Sequence, residues 1–149
     1  MAFTNKGKAF LLESVFRGTA LPTNYYVALV TSASAPTADT NTLSQLTEIA
    51  AGNGYTSGGI SLTKNATDFD ELNEDDSNDR GDMQIKDLVW TASGGSIPGS
   101  GDGARYAVLT DDNVTVGSRE VYMWWDLSSD RSVSDGQDLT LQDCEMRLT

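Results

Sequence analysis

Residues 104–110 read ARYAVLT and residues 119–127 read REVYMWWDL. Both are short, bounded by Gly, Asp and Ser, and rich in the β-branched and aromatic side chains that suit a pleated surface. Nothing after Gly18 reads as a convincing long helix. The same reading extends outward to 25–31 (YYVALVT), 60–63 (ISLT), 83–91 (MQIKDLVWT) and 138–148 (DLTLQDCEMRL). Strands so numerous, without helices alternating between them, exclude a parallel α/β sheet. They predict a mainly β fold, a single-domain β-sandwich or jelly-roll-like domain over residues 1–149.

Two details within these strands sharpen the expectation. Trp124 and Trp125 are adjacent and point to opposite faces, so hiding both requires a layer on each side of their sheet. In the last strand Leu139 and Leu141 share one phase of the two-residue alternation, whereas Cys144, Met146 and Leu148 occupy the other. A β-bulge near Gln142 and Asp143 would return both sets to the core.

The one helix is expected at the N-terminus, over about residues 5–17. Thr4 or Asn5 supplies the cap, and Ala9, Leu12 and Phe16 with Leu11 and Val15 supply an apolar face. Arg17 suits the negative end of the helix dipole, and Gly18 suits the left-handed residue that ends a helix. Gly7 weakens the first turn. Phe3, Phe10, Leu11, Leu12, Val15 and Phe16 are too many large apolar groups for one core-facing stripe, so part of this segment is expected to meet a neighbour. The expected protein interface is Phe3, Phe10, Leu11, Val15 and Phe16, with Tyr25 and Tyr26 beside them.

Two segments depart from the average composition. Residues 68–82 hold eight carboxylates and one basic residue, and 93–103 are mostly Gly and Ser. Both read as solvated surface loops, and deletion of 70–79 is expected to leave folding intact. Asp76, Asn78, Gly81 and Asp87 fall on an EF-hand-like count, but Arg80 stands where an oxygen ligand belongs and Asp87 replaces the bidentate Glu. Arg80, Gly81 and Asp82 spell an integrin-recognition tripeptide, which also reads as an ordinary turn.

Ten basic against 22 acidic residues leave a net charge of −12. This repels nucleic-acid phosphate and anionic lipid, so no direct contact with nucleic acid or membrane is expected. No signal peptide or membrane-spanning segment is read. The chain has no histidine and one cysteine, Cys144. The commonest general base, the Ser-His-Asp and Cys-His arrangements, a thiolate zinc site and an internal disulfide are thereby lost. The glycine-rich stretches lack a phosphate-loop Lys-Ser/Thr ending and a dinucleotide fingerprint. No catalytic residue, metal or cofactor is expected, and Cys144 reads as a small buried hydrophobe.

The order of segments resembles a family of short tailed-bacteriophage virion proteins, of head-decoration (cement) or tail-fibre-like type. The matching elements are Phe16, Arg17, Gly18, Thr19 and Ala20 at the helix end, and Tyr26, Val27, Ala28 and Leu29 in the first long strand. They continue with Thr47, Glu48, Gly52, Asn53, Gly54 and Tyr55, and then Gly136, Leu139, Thr140 and Leu141. The resemblance implies a non-enzymatic virion structural protein, made in the host cytoplasm and carried on the phage head surface. Its implied partners are the major capsid protein and sister copies of itself, in a homo-oligomer such as a trimer. The alternatives are a tail-fibre-like part or a carbohydrate-binding receptor module. A fibre is expected to need repeats or a coiled coil, and the chain has neither.

Overall fold

The computed structural model describes residues 1–149. In chain order the elements are β1 (Ala2–Phe3), α1 (Asn5–Arg17), β2 (Asn24–Val30), β3 (Ile60–Thr63), β4 (Glu71–Asp75) and β5 (Arg80–Ile85). They continue with β6 (Leu88–Thr91), β7 (Ala104–Thr110), β8 (Val121–Arg131), β9 (Asp138–Leu141) and β10 (Cys144–Leu148). The domain is mainly β with one N-terminal helix, as the sequence predicts.

The strands form an antiparallel five-stranded sheet in the order β1-β8-β7-β2-β3, a three-stranded sheet β10-β5-β4 and a pair β6-β9. Val27, Leu29, Leu62, Leu109, Met123 and Trp125 of the large sheet pack against Ile85, Leu88, Trp90, Leu139, Leu141 and Cys144 of the smaller ones. That is the main core, one apolar face laid on another. The opposite face of the large sheet is also covered, because Ala28, Val30, Val108 and Val121 form a second cluster with Leu43 from the long loop after β2. Trp124 packs on this second cluster and Trp125 on the first, so the adjacent pair does divide between two covered faces.

A bulge in β8 seats the helix. Leu109 pairs with Met123 and Thr110 with Val121, which leaves Tyr122 as the extra residue. Its carbonyl is thus free to accept from the Thr4 N–H at 3.0 Å. The fully buried Thr4 hydroxyl donates to Val121 O at 2.6 Å and accepts from Gly7 N at 2.8 Å, so one side chain caps α1 and ties it to β8. Gly18 ends the helix at φ 70°.

Three sequence expectations change. Residues 83–91 are not one strand: β5 stops at Ile85 and β6 starts at Leu88 in a different sheet. Residues 138–148 break at Gln142 and Asp143 in the same way, with Asp143 at φ 52°. Ile85 pairs with Cys144 and Leu88 with Leu141, so both chains turn the corner between sheets together. The expected bulge is this corner. It buries Leu139, Leu141 and Cys144 as anticipated, but leaves Leu148 exposed.

The third change concerns 68–82, which is a hairpin and not a free loop. β4 and β5 pair from Glu71 with Gln84 to Asp75 with Arg80, around a tight turn that holds Asp79 at φ 51°. The turn is locked by Asp75, whose carboxylate accepts from the Ser77 and Asn78 N–H groups and from Asn78 Nδ2. Deleting 70–79 therefore removes a paired strand and leaves β5 as an edge, so the tolerance expected from sequence does not follow. Residues 93–103 do form a loop, pinned where the fully buried Ile97 exchanges two backbone hydrogen bonds with Val133.

Candidate protein-binding surface

The helix α1 presents two apolar surfaces. Along its outer side Leu12, Val15 and Phe16, at i, i+3 and i+4, are 61%, 72% and 78% exposed. Its inner side is fixed by Phe10, whose ring stacks on Tyr122 at 4.3 Å between centroids and 13° between planes. Lys6 adds an ion pair to Glu120 at 2.7 Å, and its pKa is raised chiefly by that hydrogen bond. Because the inner side is committed to β8, the chain cannot roll α1 over to bury Val15 and Phe16.

The seven residues predicted from sequence thus fall in three places. Val15 and Phe16 lie on the outer helix face. Phe3, Phe10, Leu11 and Tyr25 border a groove of about 610 Å³ between α1 and the β10-β5-β4 sheet. Tyr25 also meets Phe69 edge-on at 5.8 Å and Tyr122 at 6.2 Å, and burial raises its phenol pKa. Tyr26, one residue on, points away: the Arg119 guanidinium sits 3.7 Å above its ring and donates to the Gly58 and Asn113 carbonyls.

Sequence reasoning missed the groove's far wall, Phe69, Leu72, Met83, Met146 and Leu148. Phe69, Leu72 and Met83 were visible as the apolar residues in or beside the acidic stretch. Their neighbours' charge hid their role.

Several of the other chemistry-bearing side chains have structural partners. Asp112 accepts from the Thr23 and Asn24 N–H groups, and Asp111 from those of Asn113 and Glu120. Burial raises the Asp111 pKa against those bonds. Arg80 lies within ion-pair distance of Asp75 and Asp82, so the Arg-Gly-Asp tripeptide begins a strand with both of its charges engaged, where a turn was expected. No three His, Cys, Asp or Glu side chains converge to hold a metal ion. Burial, aided by Asp143 and Asp87, pushes the Cys144 thiol up to about 12. No helix is long and apolar enough to cross a membrane.

The stretch that carries much of the family resemblance is a packing device. The buried Tyr55 hydroxyl donates to Glu48 Oε1 at 2.6 Å and accepts from Leu29 N at 3.0 Å, while Glu48 also receives the Ser57 hydroxyl. Gly54 holds φ 108° where a Cβ would lie 2.1 Å from the Thr91 carbonyl oxygen, so the motif needs glycine there. No protein-family model matches the chain, and neither characterised proteins nor solved structures show a match to it.

Proposed function

We propose that this chain is a non-enzymatic structural protein of a tailed-phage virion, a decoration or cement protein that seats on the outside of the assembled capsid-protein shell. The observation that carries the reading is the outer face of α1. Three large apolar side chains stand in solvent on a helix pinned from behind, an arrangement suited to contact with another protein. The partners are the major capsid protein and sister copies, since an oligomer placed on a symmetric shell repeats the same contact at every site.

Charge supports the same setting. A net charge of −12 keeps the protein off packaged nucleic acid and favours an outer, solvent-facing location. The acidic β4–β5 turn and the Gly/Ser loop 93–103 are polar surfaces comfortable in water. The order of sequence elements resembles virion proteins of this type, and the side chains described above serve packing and capping.

Imaging of particles carrying a labelled copy of the protein tests the proposal. Label at regular positions over the head is the expected result. Label confined to the tail, or absent from particles, would overturn it.

A further inference from the structure

We infer, on the reading that the outer face of α1 seats this protein on a capsid shell, that the seat is an acidic protein surface. It is an apolar hollow bordered by Asp or Glu carboxylates, one of which receives Lys8.

The charges of the chain are unevenly divided. Residues 1–20 hold Lys6, Lys8 and Arg17 against Glu13 alone, whereas residues 21–149 hold the other seven basic residues and all but one of the 22 carboxylates. The helix is therefore a basic element on an acidic body. Lys6 is spent on Glu120. Lys8 and Arg17 are exposed, and neither is in an ion pair. Lys8 belongs to the exposed face itself, because Leu12 and Val15 follow it at i+4 and i+7 on one stripe. It also stands near the positive end of the helix dipole, after a first turn with no acidic residue, where a cation weakens the helix. An exposed cation that no group of its own chain compensates finds that compensation in a carboxylate outside it.

The same division of charge selects the occupant. A membrane or a nucleic acid is a continuous field of phosphates that extends past the helix and repels the acidic body. The carboxylates of a protein are local and can meet Lys8 alone, since exposed charges more than about 8 Å apart are largely screened at physiological ionic strength. Two copies joined α1 to α1 would bring two basic faces together. Leu12, Val15 and Phe16 supply the apolar part of the contact, and Lys8 at their rim supplies its orientation and its rate of encounter.

The test is the occupancy of the purified full chain on particles lacking it, followed as salt is raised, with phosphatidylglycerol vesicles and duplex DNA as the competing targets. Wild-type occupancy should fall with salt, and neither phosphate surface should bind. Lys8→Glu should lower occupancy at low salt by about tenfold. Its melting temperature should equal or exceed that of wild type, because an acidic residue suits the start of a helix. Lys64→Glu reverses an exposed, unpaired cation outside the helix and should leave occupancy unchanged. Absence of wild-type binding would overturn the virion reading and this inference together. Binding indifferent to salt, full occupancy by Lys8→Glu, an equal loss with Lys64→Glu, or attachment to vesicles or DNA would overturn this inference alone.

Discussion

Asp68 shows how a single carboxylate in this acidic chain is made structural. It is buried, accepts from Thr63 N–H at 2.7 Å and pairs with Lys86 Nζ, tying the end of β3 to the linker after β5. Lys86 first, and the Thr63 N–H second, hold its pKa below the usual carboxylate value. A group whose folded pKa is depressed contributes stability above its unfolded value, about 3.9, and loses that contribution as pH falls through the folded value. Asp68→Asn should therefore be less stable than wild type near neutrality, and the gap should close below about pH 4. Urea midpoints of the two proteins measured at neutral and acid pH check this, and a gap that is absent or independent of pH would contradict it. The difference between the two proteins is the quantity to follow.

At the scale of elements, the joint between α1 and β8 is where close approach outweighs local propensity. Gly7 weakens the helix considered alone, yet a Cβ at this position would lie 2.0 Å from the Tyr122 carbonyl oxygen. Gly7→Ala gains about 1 kcal/mol of helix propensity, but forcing the backbones apart should outweigh that gain. A net loss of about 1–3 kcal/mol is expected, read as a lower denaturant midpoint with an unchanged slope. An unchanged or higher midpoint would show that the helix is not seated on the bulge. The helix itself was legible in sequence because its signals are local: Thr4 at the cap, Gly18 at the end and the apolar spacing between them. The bulge at Tyr122 was not, because it depends on a register between β7 and β8 that pairs residues far apart in the chain. The breaks at Lys86–Asp87 and Gln142–Asp143 escaped for the same reason, since each is a shared corner between two pairs of strands. The β4–β5 hairpin was hidden by composition, eight carboxylates reading as solvent-exposed loop although Phe69, Leu72 and Met83 punctuate them with apolar positions.

Over the whole molecule, sequence reasoning nominated one crowded apolar segment, whereas the fold separates its residues by the way α1 is anchored. Phe10 is spent on Tyr122 and Tyr26 on Arg119, so alanine at either position would disturb the chain's own packing. Val15 and Phe16 contact solvent and are free to report on binding alone. The central claim is that this outer helix face is what docks the protein onto a phage head. The most direct measurement is the occupancy of purified wild type and of a Val15→Ser, Phe16→Ser double variant on particles lacking the protein, with melting temperatures recorded in parallel. The account predicts an unchanged melting temperature and an occupancy reduced by about tenfold or more, the scale of a lost apolar anchor. Wild-type occupancy by the folded double variant would contradict it.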